Sequence, residues 1–320
     1  MTFVDGPLEE VLAKPAMDVE TRLKVRAWEV EESPSDLGYE VLKEWPKLPR
    51  GWMLGGVGGG IAVGVAGVAV DTENRYYVYH RGKRAPPLLC FNGEGDLISS
   101  WGEGIYVRPH MVECDERDNV WLIDDGGHVL DYYSPDGKIL KTLGTRGVLG
   151  EDGTHFNQPT DIAFGSKGRF YVSDGYGNKR VAYFDRDLNF IGQWGSEGEG
   201  RGQFVLPHGI TADRNGLVYV ADRTKWRVQI FTPEGEFLRQ WTHIGKAFDI
   251  VYASDGYFYV CDGTNARVTK VDASGTIIGF FGAPGSGCGQ LSSAHAIAVA
   301  PNGDILTAHL DGRAQLFSLK

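Results

Sequence analysis

Cysteine is scarce in this chain: four residues in 320, at Cys90, Cys114, Cys261 and Cys288, with no CxxC pair among them. That argues against a disulfide framework and for reduced thiols, as in the cytoplasm. Long apolar runs are also missing. No stretch approaches the ~20 apolar residues of a membrane span, and the most apolar region, 53–70, is broken by glycines. The chain does not open with basic residues leading into an apolar stretch, so no secretory signal is expected. Positive charge is in deficit, with 32 Lys and Arg against 42 Asp and Glu for a net −10. Phosphate binding needs a basic face, so a nucleic-acid partner is disfavoured. No GxSxG-type nucleophile signal is present. A cytoplasmic protein acting on a small molecule, with neither nucleic acid nor membrane as partner, is the expectation these absences leave.

What the chain has in quantity is glycine, 45 residues, and a 42% hydrophobic content that is ample for a core. From residue 66 onward one pattern recurs every 40–50 residues. An alternating apolar strand leads to a tight turn, then a strand such as YVxD, a third such as RVxxF, a second turn and a strand ending near Trp-Gly. Ile162–Gly195, Ile210–Trp241 and Val112–Gly144 show the layout most plainly. Asp136-Gly137, Asn215-Gly216, Asp255-Gly256 and Asn302-Gly303 offer the positive φ that tight hairpins require. Such units cannot each bury a face alone, but six arranged radially can. The unit starts fall near Ala66, His110, Thr160, His208, Phe248 and His295. The last unit has room for three strands, and Tyr39–Trp45 reads as its fourth. The fold expected is therefore all-β, a six-bladed β-propeller over 39–320 whose ring an N-terminal strand closes. Residues 1–38 read as an extension, helical at Glu20–Glu32, and Gly55–Gly64 as a spacer loop.

Histidine recurs in one slot of this pattern. Aligning the first strands on Val68, Val112, Ile162, Ile210, Ile250 and Ile297 puts Ala66, His110, Thr160, His208, Phe248 and His295 two residues earlier. Blades two, four and six therefore carry histidine where the strand lines the central channel. Alternate members of a six-fold ring lie about 120° apart and can converge on the axis. Three imidazoles without a thiolate are the ligand set of a catalytic zinc with an open position, and iron, copper and manganese accept the same donors. Arg81, Tyr176 and Arg223 sit in loops that can reach the same mouth. Two arginines there suit a bidentate carboxylate clamp, and a tyrosine beside them suits a general base. Equally open at this point is that Arg81 and Arg223 are ion-pair residues with Asp222 or Asp174 as partners. His80, His128, His155, His243 and His309 occupy no repeated slot.

From Gly67 onward the chain resembles the peptidyl-α-hydroxyglycine α-amidating lyases, six-bladed propellers of NHL-type repeats. The resemblance is carried by Gly67–Gly82 with its HRG, His155–Arg180 with QPTDIA and VSDGY, and Gly202–Arg223 with LPH and VADR. It implies zinc ligation by His110, His208 and His295, a catalytic Tyr176, and active-site arginines at Arg81 and Arg223. It also implies a structural calcium held by backbone oxygens at Val68 and Val112 and by an aspartate after the third histidine. That position is Ala296 here, so the charged ligand is missing. Gly177 stands where secreted members carry a disulfide cysteine. The implied reaction splits the C–N bond of a carbinolamide, peptidyl- or N-acyl-α-hydroxyglycine, into an amide and glyoxylate. A zinc-dependent hydrolase of a small ester or lactone and a non-catalytic NHL interaction propeller are the alternatives.

Overall fold

A computed structural model describes residues 35–55 and 64–319. Within them the chain forms six sheets arranged as blades, each built on four antiparallel strands, and in the first five blades these four pair in sequence order. The six innermost strands are Val65–Val70, Pro109–Cys114, Asp161–Phe164, Pro207–Ala212, Ala247–Tyr252 and Ala294–Val299. They pack side by side in order, and the sixth lies against the first, which closes the ring. The expected unit starts fall at or within one residue of these strands.

Ring closure follows the expected device. Tyr39–Val41 pairs antiparallel with Ala314–Leu319 and supplies the outer strand of blade six, although only three residues of the expected 39–45 strand pair. Ser35–Asp36 also joins the propeller, adding a short parallel strand outside Ile277–Phe281 of blade five. The expected helix at Glu20–Glu32 and residues 56–63 of the glycine-rich stretch lie outside the described residues.

The second strand of every blade is buried along its whole length, for example Tyr76–His80, Phe170–Asp174 and Val218–Asp222. Both faces of a blade are covered by its neighbours, so these strands read as continuous apolar runs rather than alternating ones. Between blades three and four, Tyr171, Val181, Phe204, Ile210, Val220 and Phe231 form one such layer. Each buried side chain of this size contributes roughly 1.5–3 kcal/mol, which makes the interfaces between blades the main source of stability. The outer strands are mostly exposed, as at Ile139–Leu143. The hairpin glycines take the expected conformation, with φ of 84° at Gly216 and 92° at Gly303.

Polar clips tie each blade at one end. Asp124, Asp174, Asp222 and Asp262 end the second strands and are fully buried. Asp222 accepts the backbone N–H groups of Val205 and Leu206 and pairs with Arg227, and Asp174 accepts Asn157 N–H and pairs with Arg180. His80 and His309 end the second strands of blades one and six. They therefore do share a repeated slot, contrary to the sequence reading, and it is the one aspartate fills elsewhere. Alignment on the first strands alone could not reveal it.

Candidate active site

Antiparallel pairing brings the start of each first strand level with the end of the second, as in Pro109 opposite Asp124 and Pro207 opposite Asp222. The loops after the second strands therefore rise over the same mouth as the first-strand histidines. Arg81 follows Tyr76–His80, Tyr176 follows Phe170–Asp174, and Arg223 follows Val218–Asp222.

The three slot histidines converge. Ring centroids of His110 and His208 are 5.0 Å apart, His110 and His295 5.2 Å, and His208 and His295 4.9 Å, a near-equilateral triangle. One ring nitrogen of each lies within 4.8 Å of the other two, and all three side chains are buried. The blades between them hold the rings in place. His110 Nδ1 is 2.6 Å from the carbonyl oxygen of Thr160, His208 Nδ1 2.6 Å from that of Phe248, and His295 Nδ1 2.7 Å from that of Ala66. A carbonyl only accepts, so each Nδ1 carries the proton and each Nε2 presents a lone pair. The six residues of the slot thus alternate imidazole and anchoring carbonyl around the ring.

Burial holds all three imidazoles neutral. It pushes His295 down to about 3 and His110 and His208 well below the ordinary histidine range, with Arg223 adding to the effect on each. Tyr176 Oη lies 3.1 Å from His110 Nε2 and 3.2 Å from His208 Nε2. The phenol has one proton to donate to two acceptors, and His295 Nε2 has no hydrogen-bond partner among the described residues. Convergent lone pairs outnumber donors, which is the arrangement a divalent cation satisfies. The donor set suits a tetrahedral transition metal with a position left for substrate.

Tyr176 reaches the histidines because Gly175 precedes it. A Cβ on Gly175 would lie 1.7 Å from the carbonyl oxygen of Pro207, so only glycine lets this turn press against blade four. Arg223 stands beside the phenol, with Nη1 3.5 Å from Oη, and its guanidinium is also 5.0 Å from the Phe248 ring. Arg81 Nε donates to the carbonyl of Pro109 at 2.7 Å, next to His110, and its charge reaches His110, His295 and Tyr176. The structure therefore gathers all six candidate residues. Asp174 and Asp222, the partners the ion-pair alternative names, pair with Arg180 and Arg227.

Several residues escaped the sequence reading. Arg108 lies two residues before His110, where the corresponding slots hold Leu206 and Ser293, and that contrast was the available signal. Its guanidinium is 5.6 Å from the Tyr176 ring centroid, and its Nε donates to buried Asp125 at 2.6 Å. Asp161 and Asp249 occupy the position after the slot in blades three and five. Each carboxylate accepts the N–H of its own next residue and one from the following histidine-bearing blade, Ile210 for Asp161 and Ile297 for Asp249. Burial pushes Asp249 up to about 6; burial, then the neighbouring Asp249, raises Asp161 well above the carboxylate range. Ala296 has the same position in blade six and is wholly buried. At Gly177, Asn157 packs so closely that an added Cβ would clash at 2.1 Å, and all four cysteines are free.

The NHL repeat family model matches residues 156–184 and 204–231, within blades three and four and the loops leading into them. The chain is 30% identical over 272 residues to the peptidylglycine alpha-amidating monooxygenase of Rattus norvegicus, covering 74% of this chain and 26% of the rat protein. It is 31% identical over 222 residues to a probable peptidyl-alpha-hydroxyglycine alpha-amidating lyase of Caenorhabditis elegans, covering 58% and 63%. The match therefore spans about a quarter of the rat relative and under two thirds of the nematode one. Among solved structures, a streptogramin B lyase superposes with a TM-score of 0.61 at 12% identity, over 89% of this chain and all of the other, a likeness of fold. No helix among the described residues is long and apolar enough to cross a membrane. The chain is a six-bladed propeller with NHL repeats that resembles the peptidyl-α-hydroxyglycine α-amidating lyases.

Proposed function

We propose that the protein is a metal-dependent carbon–nitrogen lyase that cleaves an N-acyl-α-hydroxyglycine, R–CO–NH–CH(OH)–COO⁻, into the amide R–CO–NH₂ and glyoxylate. The observation that carries this reading is the triangle of buried imidazoles with Tyr176 Oη within 3.2 Å of two of them. His110, His208 and His295 would hold the metal, with zinc the first choice for three neutral imidazoles. When bound, such an ion supplies Lewis acidity that lowers the pKa of the substrate hydroxyl.

The protein's own groups account for the remaining work. Arg81 and Arg223 hold the substrate carboxylate, and their fixed anchors on Pro109 and beside Tyr176 orient it. Tyr176 takes the hydroxyl proton. The O–H electrons form the carbonyl of glyoxylate, the C–N bond breaks, and its electron pair goes to the amide nitrogen. That nitrogen takes the phenol proton that Tyr176 Oη gives up as it accepts the hydroxyl proton, so atoms and charge balance with no water consumed and no covalent adduct to the protein. Arg223, with Nη1 3.5 Å from the phenol oxygen, stabilises charge developing on oxygen during the transfer.

Incubation with N-benzoyl-α-hydroxyglycine and assay of glyoxylate and benzamide tests the reading. Equimolar release of both, lost in His208→Ala, is expected. Release of benzoate in place of benzamide, or no release above the variant, would contradict it.

A further inference from the structure

The mouth holds more positive charge than one carboxylate needs. Arg81, Arg108 and Arg223 all lie close enough to act on Tyr176, and the carboxylate whose field reaches both Arg81 and Arg108 is the same one, Asp125. Arg108 and Arg223 thus each face the Tyr176 ring, with Arg81 near enough to act on the same phenol.

Arg108 is fastened in a way that leaves its outer edge available. Asp125 is wholly buried and takes only Nε, at 2.6 Å, rather than closing the usual two-bond fork. No group among the described residues accepts from either Nη of Arg108. Backbone N–H groups of Val107 and Arg108 are tied to Asp124, which fixes the start of the strand. The Arg108 side chain is 42% exposed. Arg108 and Arg223 each lie 5.6 Å from the Tyr176 ring centroid, so they are no farther apart than twice that distance. A short diacid spans such a gap.

We infer that Arg108 is a specificity-determining residue that binds a second anionic group, so that the preferred substrate is an α-hydroxyglycine whose acyl part ends in a carboxylate. This rests on the proposed role of Arg81 and Arg223 in holding the first carboxylate. The opposing feature is apolar: Val107, next to Arg108 and tied to the same Asp124, is 69% exposed. An aliphatic acyl group is therefore the competing outcome.

Binding separates this inference from the chemistry. N-succinylglycine and N-butanoylglycine lack the reactive hydroxyl and differ by one terminal carboxylate. Calorimetry on the full chain should show the succinyl compound binding about tenfold more tightly, the effect of one charge-assisted contact. Arg108→Met should bring the ratio near one, and Arg108→Lys should keep part of it. Equal affinities in the wild type, tighter binding of the butanoyl compound, no binding of either, or an unchanged ratio in Arg108→Met would each overturn the inference. A preserved ratio with no glyoxylate formed from the corresponding N-succinyl-α-hydroxyglycine would sink the lyase reading and leave the anion site standing.

Discussion

His208 Nδ1 donates to the main-chain carbonyl of Phe248 across the boundary between blades four and five, at 2.6 Å. The same bond joins His110 to Thr160 and His295 to Ala66, so the architecture itself sets the protonation of all three rings. Their tautomer is therefore expected to be Nδ1–H throughout. Nitrogen-15 correlation spectra at neutral pH should show three imidazoles of that form. A ring protonated at Nε2 would mean that its lone pair points at the carbonyl, and the convergent set would be broken.

The proposed reaction gives Tyr176 the transfer of a proton rather than a place among the metal ligands. Tyr176→Phe should lower kcat by about 10²–10⁴, with metal content retained and little change in KM. Loss of metal in this variant, or a rate within tenfold of wild type, would remove the phenol from the role given to it.

Gly175 permits the approach that delivers Tyr176. In Gly175→Ala the new methyl would meet the Pro207 carbonyl oxygen at 1.7 Å, and main-chain movement is the only relief. Unfolding in denaturant should show a loss of about 3 kcal/mol or more, with activity falling further than stability. A variant as stable and active as wild type would show that the turn has slack that these contacts do not suggest.

His80 makes stability depend on acidity. Burial pushes its imidazole down to about 4 in the folded protein, against an ordinary value near 6.5 in the unfolded chain. Between those two values the unfolded state binds a proton that the folded state refuses. Stability from this residue is complete above about pH 6.5 and drains away as pH falls toward 4, by on the order of 3 kcal/mol in full. His80→Gln should lose less stability than wild type between pH 7 and pH 4.5 in denaturant titrations. Parallel losses in the two proteins would show that His80 titrates normally.

The legible part of this molecule was what residue identity marks. Turn glycines and recurring strands were enough for six blades, and a rare residue in every second slot was enough for the histidine triangle. The anchors were invisible because they are carbonyls: Ala66, Thr160 and Phe248 have nothing in common but position. His80 and His309 were hidden by filling, with different chemistry, the slot that aspartate takes in four other blades. Arg108 passed unnoticed because nothing near it in sequence reveals Asp125 as its clamp or the Tyr176 ring beneath it. Asp161 and Asp249 looked like ordinary strand polar residues, and only the geometry makes them clips onto the strands that carry His208 and His295.

His110, His208 and His295 are expected to grip one cation between them. Elemental analysis of protein purified without added metal is the direct measurement, made on wild type and on His110→Ala, His208→Ala and His295→Ala. About one equivalent of a transition metal per wild-type chain is expected, zinc foremost, falling well below half in each variant while the propeller stays folded. A folded, active wild type without transition metal, or variants that keep their full complement, would contradict the account.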